Sequence, residues 1–213
     1  MPSRKLLSFI ISNKDIEANP EKVNSITQMG PLVNIKNVQK LTGCMAALNR
    51  FISRLGERGL PFFKLLKGQE KFRWTEEANA ALEDHKHHFE CPPILIAPAE
   101  GKNLLLYIAA TTHVVSIAIV VECPQEGHAY PVQRPVYYVS KVLSESKVHY
   151  PAVQKFLYAI LMTSRKLRHY FEAYQVTVVI EYPLADILHN PETTNRIVKW
   201  ATELGTLHQD FKP

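Results

Sequence analysis

Leu104-Leu-Leu-Tyr-Ile-Ala-Ala110, followed after Thr111-Thr-His113 by Val114-Val-Ser-Ile-Ala-Ile-Val-Val121, decides the fold. Two runs this rich in Val, Ile and Leu, parted by three polar residues, read as neighbouring strands joined by a tight connection. A third run, residues 136–140, comes after Pro124-Gln-Glu-Gly127, which supplies a turn, so the three make an antiparallel meander. Pro151 then opens a helix with Val153, Phe156, Leu157, Ile160, Leu161 and Leu167 on its buried side. A strand over residues 176–181 cannot close a hairpin after such a crossover and is expected to join the sheet in parallel. Residues 184–189 read as a short helix. Thr194 caps a last helix that turns Ile197, Trp200, Ala201 and Leu204 inward before Gly205 stops it. The order is strand, strand, strand, helix, strand, helix: an α/β fold with a mixed sheet.

Upstream of Pro92-Pro93 the pattern is helical. Residues 6–12 read as a short strand. Asn19-Pro20-Glu21 then gives a cap, a proline at the first helical position and an early acid, so a helix runs through Val23 and Ile26 until Gly30-Pro31. Asn34 opens a longer helix that places Val38, Leu41, Met45, Leu48, Ile52 and Leu55 on one stripe, broken only by Gly56 and Gly59. Leu60-Pro-Phe-Phe-Lys-Leu-Leu66 forms a short apolar element. Thr75 caps a third helix with Ala78, Leu82, His85 and Phe89 on one face.

A chain of 213 residues that is 46% hydrophobic buries a substantial core. Its 25 basic against 20 acidic side chains suit a polyanionic partner without demanding one. Cys44, Cys91 and Cys123 are far apart and odd in number, which points to reduced thiols and an intracellular setting, cytoplasmic or nuclear. No run approaches the roughly 20 apolar residues of a membrane span, so no membrane partner is expected.

Several phrases make a more specific match than topology. Asn19-Pro-Glu-Lys-Val23, Val38-Gln-Lys-Leu-Thr-Gly43, Ala46-Ala-Leu-Asn-Arg-Phe-Ile-Ser-Arg54 and Leu60-Pro-Phe-Phe-Lys-Leu-Leu66 resemble the thumb and connection of a gypsy-type retrotransposon reverse transcriptase. Phe72-Arg-Trp-Thr75, Pro92-Pro-Ile-Leu95, Arg134-Pro-Val-Tyr-Tyr-Val-Ser140 and Leu167-Arg-His-Tyr-Phe171 resemble the ribonuclease H-like domain that follows it. The resemblance implies a ribonuclease H-like mixed sheet with flanking helices, preceded by a small helical thumb and connection region. It divides the chain into a palm remnant at 1–12, thumb and connection at 13–70, and the ribonuclease H-like domain at 71–213. It also implies that the polymerase aspartates lie upstream and that the last acidic residue of the nuclease lies beyond Pro213.

Ribonuclease H chemistry is the in-line attack of water on a phosphodiester, assisted by two magnesium ions held by converging carboxylates. In the family the first carboxylate is the Asp of an Asp-Ala-Ser phrase, and the matching phrase here is Ala109-Ala110-Thr111. The second is a Glu on the first helix, a place taken by Phe156. The third is the Asp of a Thr-Asp phrase, where Glu181 stands; Asp186 follows on the next helix and is expected to face solvent. One carboxylate cannot balance two divalent cations, so no catalytic residue, metal or cofactor is expected, although the family would use Mg2+. The Ala-Ala-Thr phrase resembles the degenerate "tether" that some plant elements place before a second, active ribonuclease H. The expected role is a structural tether or nucleic-acid-binding module within a polyprotein; the alternative is a ribonuclease H active on RNA–DNA hybrids.

Two other groups carry candidate chemistry. His85-Lys-His-His88 with Glu90 and Cys91 has zinc-ligand types, but adjacent His87 and His88 point to different helix faces. Arg50, Arg54 and Arg58 at spacing four, with Lys64 and Lys67, form a ridge suited to the phosphates of a template–primer or an RNA–DNA hybrid. Such a contact, and the remaining polyprotein domains, are the expected partners. Tyr137 and Tyr138 alternate on a strand, so one at most is open for base stacking.

Overall fold

Local signals set most of the element starts. The computed structural model describes residues 4–5, 8–12, 15–67, 72–182, 184, 195–205 and 209–212. Strands β1 (Arg4–Lys5), β2 (Phe9–Ser12) and β3 (Asp15–Ala18) form an antiparallel ribbon that β4 (Leu95–Ile96) completes against β3. Of the strand read over residues 6–12, Leu6 and Leu7 lie outside the described residues. Helix α1 (Pro20–Thr27) starts where Asn19 accepts a hydrogen bond from the Glu21 amide, and α2 (Ile35–Ala47) where Asn34 accepts one from Asn37. Thr75 does the same for Ala78 at the head of α5 (Glu76–Glu90). Each side-chain oxygen satisfies an amide that has no partner inside the helix.

The long second helix is a different object from the one its apolar stripe predicts. It ends at Ala47, passes through a 3-10 turn (Asn49–Phe51), and restarts as α3 (Leu55–Arg58) and α4 (Leu60–Lys67). Arg54 breaks the path with a left-handed backbone, φ 55°. The stripe persists because Leu48, Phe51 and Ile52 stay fully buried through the turn. With Ile26, Leu41, Phe62, Leu82 and Phe89 they belong to one core, in which burying each large side chain contributes about 1.5–3 kcal/mol.

A second core lies on the five-stranded sheet of β5 (Leu104–Ala110), β6 (Val114–Cys123), β7 (Val132–Val142), β8 (Val176–Val179) and β9 (Gln209–Lys212). The strand order is β7-β6-β5-β8-β9; the first three strands are antiparallel neighbours, and β8 joins β5 and β9 in parallel. The meander and the parallel fourth strand are as the sequence leads one to expect. Strand β9 was not expected, for Gln-Asp-Phe-Lys carries no apolar alternation. Helix α7 (Ala152–Lys166) covers one face with Leu157, Ile160 and Leu161; α6 (Glu145–Val148), α8 (Arg168–Ala173) and α9 (Asn195–Leu204) complete the layer. Of the expected helix over 184–189 only Leu184 is described, and Asp186 and Thr194 lie outside the described residues.

The other face of the meander meets the first core. Helix α3 and the 3-10 turn rest on β7, and Tyr138 packs with the first core while Tyr137 packs with the second. Both rings are half-buried, so neither strand face offers an open stacking platform there. Helix α5, which a division at residue 70 assigns to the later domain, packs in the first core through Ala78, Leu82 and Phe89.

Candidate functional site

Ala109, Phe156 and Glu181, the three positions singled out in the sequence, lie toward one end of the sheet. Tyr107 stands opposite Val179 in the parallel pairing of β5 and β8; Ala109 lies two residues further on β5, and Glu181 two residues further along the chain, in the bend that follows β8. The Phe156 ring, on the second turn of α7, sits 5.7 Å from the ring of Tyr182. Lys155, next to Phe156, reaches the other strand end, where its Nζ donates to the carbonyl oxygens of Thr111 at 3.2 Å and Thr112 at 3.0 Å. The three positions therefore lie toward one end of the sheet, carrying a methyl group, a phenyl ring and a single carboxylate.

Magnesium takes a hard oxygen shell, and two such ions need several negative ligands in a small volume. The residues present do not fit them. Ala109 and Phe156 offer no donor, Glu181 is exposed at a strand end, and no group of three acidic, His or Cys side chains suited to a metal occurs among the described residues. The most buried charge-bearing side chain at this end is basic: Lys155 is only 8% exposed. A buried amine held on two backbone carbonyls adds positive character where a cation would need the reverse.

Sequence reasoning passed over Lys155. The signal available was a second ridge on α7, since Lys155, Ala159 and Thr163 recur at spacing four and all three are buried. Two small residues in line with a lysine mark a close approach that the wide aliphatic stripe beside them conceals.

The basic ridge does not form. Because the helix breaks, Arg50 lies in the 3-10 turn while Arg54 caps and Arg58 ends α3, and the three point to different partners. The Arg50 guanidinium lies over three rings, 4.9 Å from the Phe9 centroid, 5.9 Å from Phe51 and 4.8 Å from Tyr137, and its Nε is buried without a hydrogen-bond partner. Burial pushes the phenols of Tyr137 and Tyr170 up from their ordinary range, and the Arg50 charge opposes that rise at both. Arg54 forms a two-point bond to Glu57, and Arg58 bridges to Asp84 on α5. On α4, Lys64 pairs with Glu77, while Lys67 is exposed at the helix end.

The histidine cluster also disperses. His85 is fully buried, its Nδ1 bonded to the Ala81 carbonyl and its ring edge-on to Phe62. Burial lowers its pKa from the ordinary 6.5, so it sits neutral in the core. His88 turns to the Phe51 carbonyl and is lowered by burial as well, and His87 faces solvent beside Glu90. Three rings on three bearings cannot share a zinc ion.

Comparison with known proteins agrees with this architecture. Residues 74–178 match the family model described as the RNase H-like domain found in reverse transcriptase. The Tf2-3 and Tf2-4 transposon polyproteins of Schizosaccharomyces pombe are 25% identical to the chain over 212 residues, covering 97% of it. The chain spans 15% of the length of those polyproteins. Among solved structures, a foamy viral protease–reverse transcriptase in complex with double-stranded DNA superposes with a TM-score of 0.78 at 17% identity, covering 99% of this chain and 37% of that one. The foamy viral enzyme in complex with an RNA/DNA hybrid gives 0.75 at 17% identity, over 98% and 28%. At that identity the likeness is one of fold.

Proposed function

From a chain that carries the RNase H-like domain of reverse transcriptase and is homologous to the Tf2 polyproteins of the gypsy-type retrotransposons, we propose a domain that has kept the nuclease frame and given up hydrolysis, serving as a structural tether within a longer polyprotein. The observation that carries the reading is that Ala109, Phe156 and Glu181 lie toward one sheet end with no second carboxylate among them, while the Lys155 amine donates to the carbonyls that follow β5. Incubation of the pure chain with a labelled RNA–DNA hybrid in Mg2+ or Mn2+ is expected to leave the RNA intact, and Ala109→Asp alone should not restore cleavage. Cleavage that disappears in Glu181→Gln would overturn the proposal and establish an active ribonuclease H. Descent from the plant lineage with two ribonuclease H domains is part of the same reading, checked by whether a second, acid-complete domain is encoded downstream.

Contact with nucleic acid is a second reading, supported by the foamy viral structures, which are complexes with double-stranded DNA or a hybrid. Arg50 is committed inside the fold, and Arg54, Arg58 and Lys64 each hold a carboxylate, which leaves exposed Lys67 at the end of α4, with Lys64 beside it once freed from Glu77, to make the contact. Duplex affinity is expected to weaken with salt, and Lys64→Ala/Lys67→Ala should flatten the log–log slope by about 1–2. The same double variant with an unchanged slope removes α4 from the contact.

A further inference from the structure

The junction between the two cores holds a cavity of about 650 Å3, walled by Leu55, Leu60, Phe63 and Leu66 on one side and by Val142 and Leu143 on the other. Its rim carries Lys64, Lys67, Lys141 and Lys147, and among the described residues no acidic side chain lines it. A second cavity of about 460 Å3, lined by Met162, Arg165 and Lys166, shares the Ser140, Lys141 and Tyr158 wall with the first; no described acidic side chain lines it, and its Arg165 is held from outside by Glu203. The two adjoin through that shared wall as one furrow, aliphatic at the first cavity and with a cationic margin along both. We propose that this furrow is a docking groove for an acidic amphipathic helix of a partner protein segment.

The chemistry of the walls selects that occupant. An aliphatic floor gives a phosphate backbone nothing to bond, whereas the apolar face of an amphipathic helix buries against it at the spacing of successive turns. The ring in the furrow best placed to stack a base, that of Tyr158, is already covered: the Nζ of Lys141 is 5.8 Å and that of Lys147 5.4 Å from its centroid. Lys64 has a carboxylate partner in Glu77, but among the described residues no carboxylate pairs with Lys141 or Lys147, whose ammonium groups lie by the Tyr158 ring and, for Lys147, the Ser144 hydroxyl. Glutamates flanking the apolar stripe of a docked helix would supply the missing negative charge, setting specificity and on-rate. The proposal stands apart from the tether reading, because it needs neither loss nor presence of hydrolysis.

The test uses the full chain and a fluorescent model helix with leucine along one face and glutamate on both flanks. Binding is expected to weaken with salt and by about tenfold in Lys141→Glu/Lys147→Glu, with Lys147→Gln giving a smaller loss in the same direction. The thermal unfolding of each variant checks that the fold is kept. Failure of the glutamate helix to bind, equal binding of a lysine-flanked helix, or an unaltered affinity in the folded double variant overturns the proposal. Displacement of the peptide by duplex DNA, with duplex binding lost in the same variant, overturns it too and makes the furrow a nucleic-acid groove.

Discussion

Gly56→Val is expected to lower the free energy of unfolding by about 3 kcal/mol, the upper end of what overpacking a tight contact costs. A Cβ at this position would come within 2.9 Å of both Ser140 Oγ and Val114 Cγ1 and within 3.3 Å of the Lys141 carbonyl carbon. The hydroxyl of Ser140 can rotate, but it is already engaged by the Gly56 amide at 2.9 Å and by Ser116 Oγ at 2.8 Å. Helix α3 would have to lift from β7, and the interface between the two cores would open. Urea denaturation measures the effect: the midpoint should fall and, if the cores separate before unfolding, the transition should lose its two-state shape. Gly43→Ala is the control, for a Cβ there meets nothing within 4 Å in the middle of α2 and should stabilise by about 0.5–1 kcal/mol. A Gly56→Val chain as stable as the parent would show that α3 does not hold the sheet closely.

Arg50→Ala is expected to destabilise the fold by about 2–3 kcal/mol while leaving affinity for duplexes unchanged. The guanidinium joins Phe9 of the N-terminal ribbon, Phe51 of the 3-10 turn and Tyr137 of the sheet, so its removal opens a void among rings from three elements. A phosphate-binding arginine behaves in the opposite way, losing affinity and salt slope with little change in stability. Thermal unfolding and duplex titration of one variant thus separate the two roles. Loss of binding with an unshifted unfolding midpoint would return Arg50 to a nucleic-acid surface. Arg50→Lys should recover little, since the flat guanidinium stacks on rings as an ammonium does not.

The two predictions mark where pattern and structure part. Helix starts were legible because Asn19, Asn34 and Thr75 act through their own side chains on amides two or three residues away. The meander and α7 were legible because one-sided burial imposes periods of two and of 3.6. The break after Ala47 was not, since a 3-10 turn can keep the same aliphatic residues buried, and apolar spacing reports burial and not helical continuity. Once the helix breaks, three arginines at spacing four no longer share a face. The strands β3, β4 and β9 escaped for a related reason: they are two to four residues long and take their shape from the neighbour they pair with.

At the candidate site, counting along the sequence led to Ala109, Phe156 and Glu181 but not to the lysine that ties the helix to the neighbouring turn. A lysine between Gln154 and Phe156 gives no hint that it runs back to the Thr111–Thr112 carbonyls, because that contact is made across 43 and 44 residues of chain. Its consequence concerns what this end of the sheet depends on. Where a nuclease gathers its strand ends around ions drawn from solution, here the joining group is covalently part of the helix. It cannot be chelated, diluted or exchanged, so this tie between α7 and the end of β5 does not depend on the ionic supply of its surroundings.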